Sequence, residues 1–299
     1  GNIAIGHEAS VAITTAVRNT IIGAWSMQSN QTGAYNTGVG YNVMQQTSTV
    51  HSAVAMGYQA MWSAATSDAA GAIAIGTEAL HDLTSGIGNV AVGYHALSKE
   101  DDGDFNTAVG YEALKVQTGA SGTVGNTAVG YQSGVAVTSG VHNTLLGKSA
   151  AAALQTGGYN VAIGGNALVS EDTGTATIAI GYGAAYSQNY DGSSGTVVIG
   201  HNAGYHNVTG VNNTYLGKGS GLGASGQSNS YNTAVGANAL TAVTTGGSNV
   251  AIGNDSATSI TDGHNNVAIG NNALEAAVSV GYAVAIGNDA MVNGNATAA

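Results

Sequence analysis

A five-residue phrase, Asn160-Val161-Ala162-Ile163-Gly164, is rewritten along the whole chain, and nothing else in the sequence limits the possible folds so tightly. It stands at Asn2 to Gly6, Asn89 to Gly93, Asn106 to Gly110, Asn126 to Gly130, Asn232 to Gly236, Asn249 to Gly253 and Asn266 to Gly270, with altered copies between them. With Asn as position 1 and Gly as position 5, seventeen position-5 glycines run from Gly6 to Gly287. Twelve of the sixteen intervals are 17 residues, three are 19 and one is 20. Residues 1–299 therefore read as a single repeat array with no linker or second domain. The extra residues fall in Met61–Gly71, Lys115–Gly125, Ser187–Gly195 and Gly219–Tyr231, as insertions into one loop per turn should. Gly1 in place of Met, with Asn2 already at position 1, and a last stretch, Asn295 to Ala299, that stops about where another copy should begin, lead us to expect an excerpt of a longer protein.

Positions 2 and 4 share one side of a strand, because side chains alternate. Position 4 is Ile, Val, Leu or Met in every copy and position 2 is Val, Ile or Thr, so this side is expected to face the interior. Position 3, usually Ala, is then expected outside, in close approach to another surface. The invariant Gly at position 5 permits a bend with φ > 0. Position 8 is Ala or Ser except at Val43, and position 9 is often Leu or Met, as at Leu80, Leu97, Leu114, Leu168, Leu240 and Leu274, which reads as a second short strand. A polar, Gly-containing stretch before the next Asn reads as a turn.

Seventeen residues are too few for a strand and a crossover helix, and the apolar spacing is not helical. The unit fits one coil of an all-β, parallel β-solenoid, or β-roll, of about seventeen coils. Coils stacked about 4.8 Å apart would make a rod on the order of 80 Å long. Identical positions then form ladders. Asn89, Asn106, Asn126, Asn143 and Asn160 are expected to bond amide to amide along the axis, as stacked Asn does in cross-β assemblies. Ala53, Ala72, Thr177, Thr196 and Ala283 interrupt the column.

The phrases Asn106-Thr107-Ala108-Val109-Gly110-Tyr111-Glu112-Ala113-Leu114 and Asn89-Val90-Ala91-Val92-Gly93-Tyr94-His95-Ala96-Leu97 resemble the repeats of phage tail-fibre proteins and related bacterial fibre proteins. Asn249-Val250-Ala251-Ile252-Gly253-Asn254-Asp255-Ser256 also resembles the head repeats of trimeric autotransporter adhesins, which form left-handed β-rolls in threes. The resemblance covers almost the whole chain, although the 17-residue period and the Tyr and Leu positions depart from the adhesin heads. It implies a homotrimer in an extracellular fibre, on a virion tail or a bacterial surface. A separate physical argument favours self-association, since the Ala stripe expected outside would leave apolar surface in water. Sideways bundling, or a stripe tolerated in a monomer, stays open.

Composition narrows the partners. Five Lys+Arg against sixteen Asp+Glu give a net charge of −11, which leaves almost nothing to neutralise phosphates and argues against nucleic acid. The chain is 43% hydrophobic and only 7% charged, the reverse of a disordered composition. Without Cys there is no disulfide framework or thiolate metal site. No apolar run approaches a membrane span.

Few residues invite chemistry. Asp101, Asp102 and Asp104, beside Glu100, could supply oxygens to Ca²⁺, although one loop offers fewer than the 6–8 the ion takes and a solvated acidic turn is the plainer reading. Gly221-Leu222-Gly223-Ala224-Ser225-Gly226 matches G-x-G-x-x-G but lies in an enlarged loop with no helix after it. The eight His show no zinc-ligand spacing. Tyr at position 6 should stack on successive coils, Tyr41 on Tyr58 and Tyr94 on Tyr111 and Tyr131, either sealing a corner or offering platforms to sugar rings. Ice binding through Thr at position 2 is set aside, because Val and Ile interrupt the Thr and because position 2 is expected in the core. The sequence thus points to a non-enzymatic fibre segment without cofactor, presenting elements that bind a host or surface, with a glycan or receptor as a candidate partner. A bundled filament without receptor, or a carbohydrate-binding repeat module, is the alternative.

Overall fold

The computed structural model describes residues 1–63, 69–118 and 121–292. The chain forms two compact units, Gly1–Lys148 and Ser149–Ala299. In the first, nine three-residue strands, from Ile3–Ile5 to Thr144–Leu146, occur once per coil. Each lies parallel to the next in register, so that Val90, Ala91 and Val92 face Thr107, Ala108 and Val109. In the second, eight strands from Val161–Ile163 to Val284–Ile286 repeat the arrangement, with Val250, Ala251 and Ile252 against Val267, Ala268 and Ile269. The fold is the parallel β-solenoid of seventeen coils that the repeat dictates.

Only three residues per coil are strand, yet coil-to-coil bonding continues round the bend. Val90 donates its N–H to the Asn106 carbonyl at 2.8 Å, Gly110 donates back to Val92 at 2.8 Å, Glu112 to Tyr94 at 2.9 Å, and Leu97 onward to Ala113 at 3.0 Å. Every second N–H thus finds a neighbouring coil, which leaves few orphan donors. The segment at positions 8 and 9 is a turn and not the second strand expected. Its residues alternate through left-handed backbone, with φ of 52° at His95, 49° at Leu97, 54° at Glu112 and 49° at Leu114. Left-handed Leu costs about 1–2 kcal/mol, and the ladder bonds and side-chain burial at position 9 offset it.

The invariant Gly is required twice over. Gly93 has φ 138°, and a Cβ there would stand 2.3 Å from the carbonyl oxygen of Gly110 in the next coil. Such contact admits no side chain.

The inward and outward sides of the strand are the reverse of the expectation. Ala91, Ala108, Ala162 and Ala251, at position 3, are fully buried, whereas Ile163 is half-buried and Ile252 is 37% exposed. The reason is volume. A coil this narrow cannot hold branched side chains at positions 2 and 4 together with the buried Leu or Met at position 9, so Ala faces Leu across the core. Exceptions confirm the constraint. Of the four larger residues at position 3, Leu145, Val198 and Tyr215 have glycine at the position-9 site they fill: a Cβ on Gly134 would lie 2.6 Å from Leu145, one on Gly204 3.3 Å from Val198, and one on Gly221 2.5 Å from the Tyr215 ring. Ile21 keeps Met27 at position 9 and is matched by Gly38 at position 3 of the next coil, where a Cβ would lie 3.4 Å from it.

Of the four insertions, residues 64–68 and 119–120 lie outside the described residues, as does the Asn295 to Ala299 stretch. Lys115–Gly125 is more than a loop, because Gly122–Thr123 extends the wall by pairing with Gly103–Asp104. In the second unit Thr175 bridges Ser193 in the same way.

Candidate functional site

The outward strand face recurs in every coil of each unit. Positions 2 and 4 make two columns of Val, Ile, Thr, Leu and Met without one charged residue in any coil. Ile22 is 40% exposed, Met56 41% and Leu216 45%. Aromatic residues border the columns on both sides: Tyr35, Phe105 and Tyr231 precede the Asn at a left-handed corner, and Tyr94, Tyr111 and Tyr131 follow the Gly bend. The position-6 rings stack as expected, Tyr41 on Tyr58 at 5.8 Å, Tyr94 on Tyr111 at 5.1 Å and Tyr111 on Tyr131 at 5.4 Å, within 12° of parallel. Stacking turns ring faces toward one another and leaves mainly edges to solvent. The Glu112 carboxylate beside Tyr111 raises that phenol, and Glu112 is itself held low by its bond to Lys115.

With position 2 outward, the face argument against ice binding falls. What remains is chemistry: Thr107, Thr127 and Thr144 form one run of three, with Val90 before it and Val161 at the next position 2 in sequence, and position 4 is aliphatic throughout. No continuous hydroxyl array results.

The Asn column lies inside. Asn89, Asn106, Asn126, Asn143 and Asn160 are all buried. Their main bonds go to backbone, not from amide to amide as expected. Asn89 Nδ2 donates to the Gly103 carbonyl at 2.7 Å, closing its own coil, and its Oδ1 accepts the Asn106 N–H at 2.8 Å from the next. Asn126 repeats this with Gly140 at 2.6 Å and Asn143 at 2.8 Å, and Asn160 with Gly174 at 2.8 Å and Thr177 at 3.0 Å. Direct amide contacts also occur, Asn143 to Asn126 at 3.2 Å and Asn266 to Asn249 at 2.9 Å. Each Asn satisfies one donor and one acceptor that burial would otherwise orphan.

A second interior column was not foreseen. In the coil before each enlarged coil, position 12 is polar: Thr47, Glu100, Glu171 and Asn207. Glu100 accepts from the Gly103 N–H at 2.7 Å and from Gln117 Nε2, in the enlarged coil, at 2.5 Å. Glu171 accepts from Gly174 at 2.7 Å and from Tyr190 at 3.2 Å, and Asn207 Oδ1 accepts the Asn229 N–H at 3.1 Å. An insertion breaks the regular ladder, and Glu100, Glu171 and Asn207 supply partners to the coil that follows, whereas Thr47 donates to the Met44 carbonyl of its own turn at 2.8 Å. Burial raises both glutamates above the ordinary carboxylate range, against the lowering effect of partners that all donate.

The acidic turn is arranged differently from the Ca²⁺ reading. Asp104 Oδ1 accepts the Ile87 N–H at 2.7 Å and so serves the wall. The carboxylates that converge are Glu100, Asp101 and Asp102, with ligand atoms within 4.8 Å of one another, but the Glu100 oxygens already accept N–H donors. Asp102 is raised by burial and by its neighbour Asp101, as expected of crowded acids. His51 and His264 have structural partners, each Nδ1 accepting a backbone N–H from the preceding coil, Ala34 at 3.1 Å and Gly247 at 2.9 Å. The G-x-G-x-x-G glycines make room for Tyr215 at Gly221, and no helix follows. Shallow clefts of about 320 and 490 Å³ lie beside Tyr282 and Tyr190. The first brings Asp262, His264 and Ser279 together, but Asp262 bonds Ser279 itself and His264 bonds backbone, so no imidazole bridges the two. Among the described residues no helix is long and apolar enough to cross a membrane. No protein-family model, curated protein or solved structure matches the chain.

Proposed function

We propose that the chain is a structural fibre segment, part of a phage tail fibre or a bacterial surface adhesin outside the cell, whose copies associate as a trimer through the outward strand face. The observation that carries this reading is the uncharged double column at positions 2 and 4, present in every coil and bordered by aromatic rings in several of them. An uncharged, largely apolar strip repeated coil after coil within each unit is unusual on a solitary soluble chain. Its repeat matches itself, so a second copy in parallel register offers the same spacing of ridges. The acidic balance, −11 overall, lies off these columns and keeps associated copies soluble. The resemblance to fibre and adhesin-head repeats supports the same role, in which the coils hold host- or surface-binding elements at a distance.

Sedimentation of the full chain tests the reading. The expected result is a trimer that Ile22→Glu with Ile75→Glu converts to a folded monomer. A monomeric parent chain at every concentration overturns self-association, and long laterally bundled filaments would favour the receptor-free alternative.

A further inference from the structure

The two tryptophans of the chain stand on one surface of the first unit, Trp25 edge-on to His7 at 5.8 Å and Trp62 stacked on His81 at 5.1 Å. Trp25 occupies position 7 with φ 54°, a conformation in which other coils place Asn42, Asn202, Asn238 or Asn272. A large ring gains nothing from left-handed backbone, whereas Asn tolerates it. Trp62, at position 10, is likewise half-buried on a turn where other coils use Ser98 or Thr241.

Around them lie two rows that run from coil to coil. One is aromatic: Trp25 meets Tyr41 edge-on at 5.1 Å, and Tyr41 stacks on Tyr58 at 5.8 Å, with Tyr41 43% and Tyr58 47% exposed. The other is a directed chain of hydrogen bonds. Trp62 Nε1 donates to Gln45 Oε1 at 2.8 Å, Gln45 Nε2 to Gln28 Oε1 at 3.1 Å, and Gln28 Nε2 to Glu8 Oε2 at 2.7 Å. Trp25 Nε1 donates to the same Glu8 oxygen at 3.1 Å, which ties the rows together. With one residue per coil, about 4.8 Å apart, the amide row spans several sugar lengths.

We propose that this surface binds a neutral oligosaccharide. A pyranose has an apolar C–H face that packs on an aromatic side chain such as Trp25, whose ring stands at 83° to Tyr41 and outside the Tyr stack, and hydroxyls that both donate and accept, as a Gln carboxamide does. Charge selects against acidic ligands. Arg18 is the single Lys or Arg among residues 1–81, and it is engaged with Tyr35, while Glu8 supplies a negative end to the row. Sialylated, sulfated or phosphorylated ligands find no Lys among residues 1–81 and no Arg beyond Arg18. The proposal extends the fibre reading by naming a class of surface partner, but Trp25 at position 7 and Gln28, Gln45 and Trp62 at position 10 lie outside the strand columns and their position-6 border, so glycan binding and self-association are tested separately at these residues.

Because the chain has only Trp25 and Trp62, intrinsic tryptophan fluorescence reports this surface alone. The full chain is titrated with cellohexaose, mannohexaose, chitohexaose and a sialylated oligosaccharide, with sedimentation followed in parallel. The expected result is a saturable emission change with at least one neutral hexaose and none with the sialylated probe. Trp25→Asn, which restores the residue that other coils place at position 7, and Gln45→Ala should each weaken that binding about tenfold, read from Trp62 in the first variant, with unchanged melting and assembly. No response to any neutral probe, a response only to the sialylated one, or equal binding by both variants overturns the proposal.

Discussion

Tyr215 and Gly221 share one volume, and a double-mutant cycle tests whether coil width governs the core. Tyr215 is fully buried, burial drives its phenol far above the ordinary range, and its hydroxyl bonds Asn229. Tyr215→Ala should cost about 3–5 kcal/mol, the range for removing a large buried ring. Gly221→Leu alone puts a Cβ 2.5 Å from three ring atoms and should cost about 1–3 kcal/mol or more as overpacking. The backbone at 221 has φ 54°, close to the 56° at Leu240 and Leu274, so Leu is acceptable there once the ring is gone. The double variant recreates the common pairing of Ala at position 3 with Leu at position 9. Asn229 Oδ1 keeps its bond from Asn232 at 3.2 Å. Urea unfolding of the full chain should therefore find the double variant within about 1–2 kcal/mol of the parent, a coupling of several kcal/mol. Additive losses would refute the constant-volume account.

Two further outcomes follow from the strand parity and the buried acids. Ala251→Asp places an unpaired charge at a fully buried site and should lose at least about 3 kcal/mol. Ile252→Asp, one residue on, should alter the melting free energy by less than about 1 kcal/mol while weakening association in sedimentation; equal losses of stability would return position 4 to the core. Glu100 and Glu171 have folded pKa values raised above the ordinary 4.5. Their contribution is thus fully present below the unfolded pKa and lost as pH rises through the folded one. Stability measured from pH 7 down to pH 4.5 should rise more in the parent than in Glu100→Gln/Glu171→Gln. An identical pH slope in both would refute the burial effect.

How much of this the sequence disclosed depended on what kind of information each residue carried. Period, coil number and the Gly bend were legible because Gly93 and its equivalents admit no substitute, by φ and by the approach of the next carbonyl. The Tyr stacks were legible because register places equal positions in contact. The face assignment failed because hydrophobicity was allowed to decide parity: Ile163 is more apolar than Ala162, but the coil is narrow and the smaller residue goes in. A usable signal was present. Position 1 has the parity of position 3, and an Asn column that must satisfy backbone groups belongs in the interior, so Ala follows it inward. The size compensation at Leu145, Val198 and Tyr215 was also written in the sequence, as Gly at position 9, but only the contact geometry gives those glycines a reason.

Position 12 carries the argument one step further. Ile13, Leu83, Val137, Leu154, Val243 and Ile260 keep it apolar in ordinary coils, with Asn30 the polar exception. It turns polar in the coil before every insertion, where Glu100, Glu171 and Asn207 bond the coil that follows. Buried carboxylates are costly, and burial raises the pKa at both sites. What offsets it is local: the groups they satisfy have no other regular partner once the ladder is broken. The same loops give the wall its departures from a uniform coil, so an insertion and its interior polar residue should be exchanged together when coils are grafted between repeats.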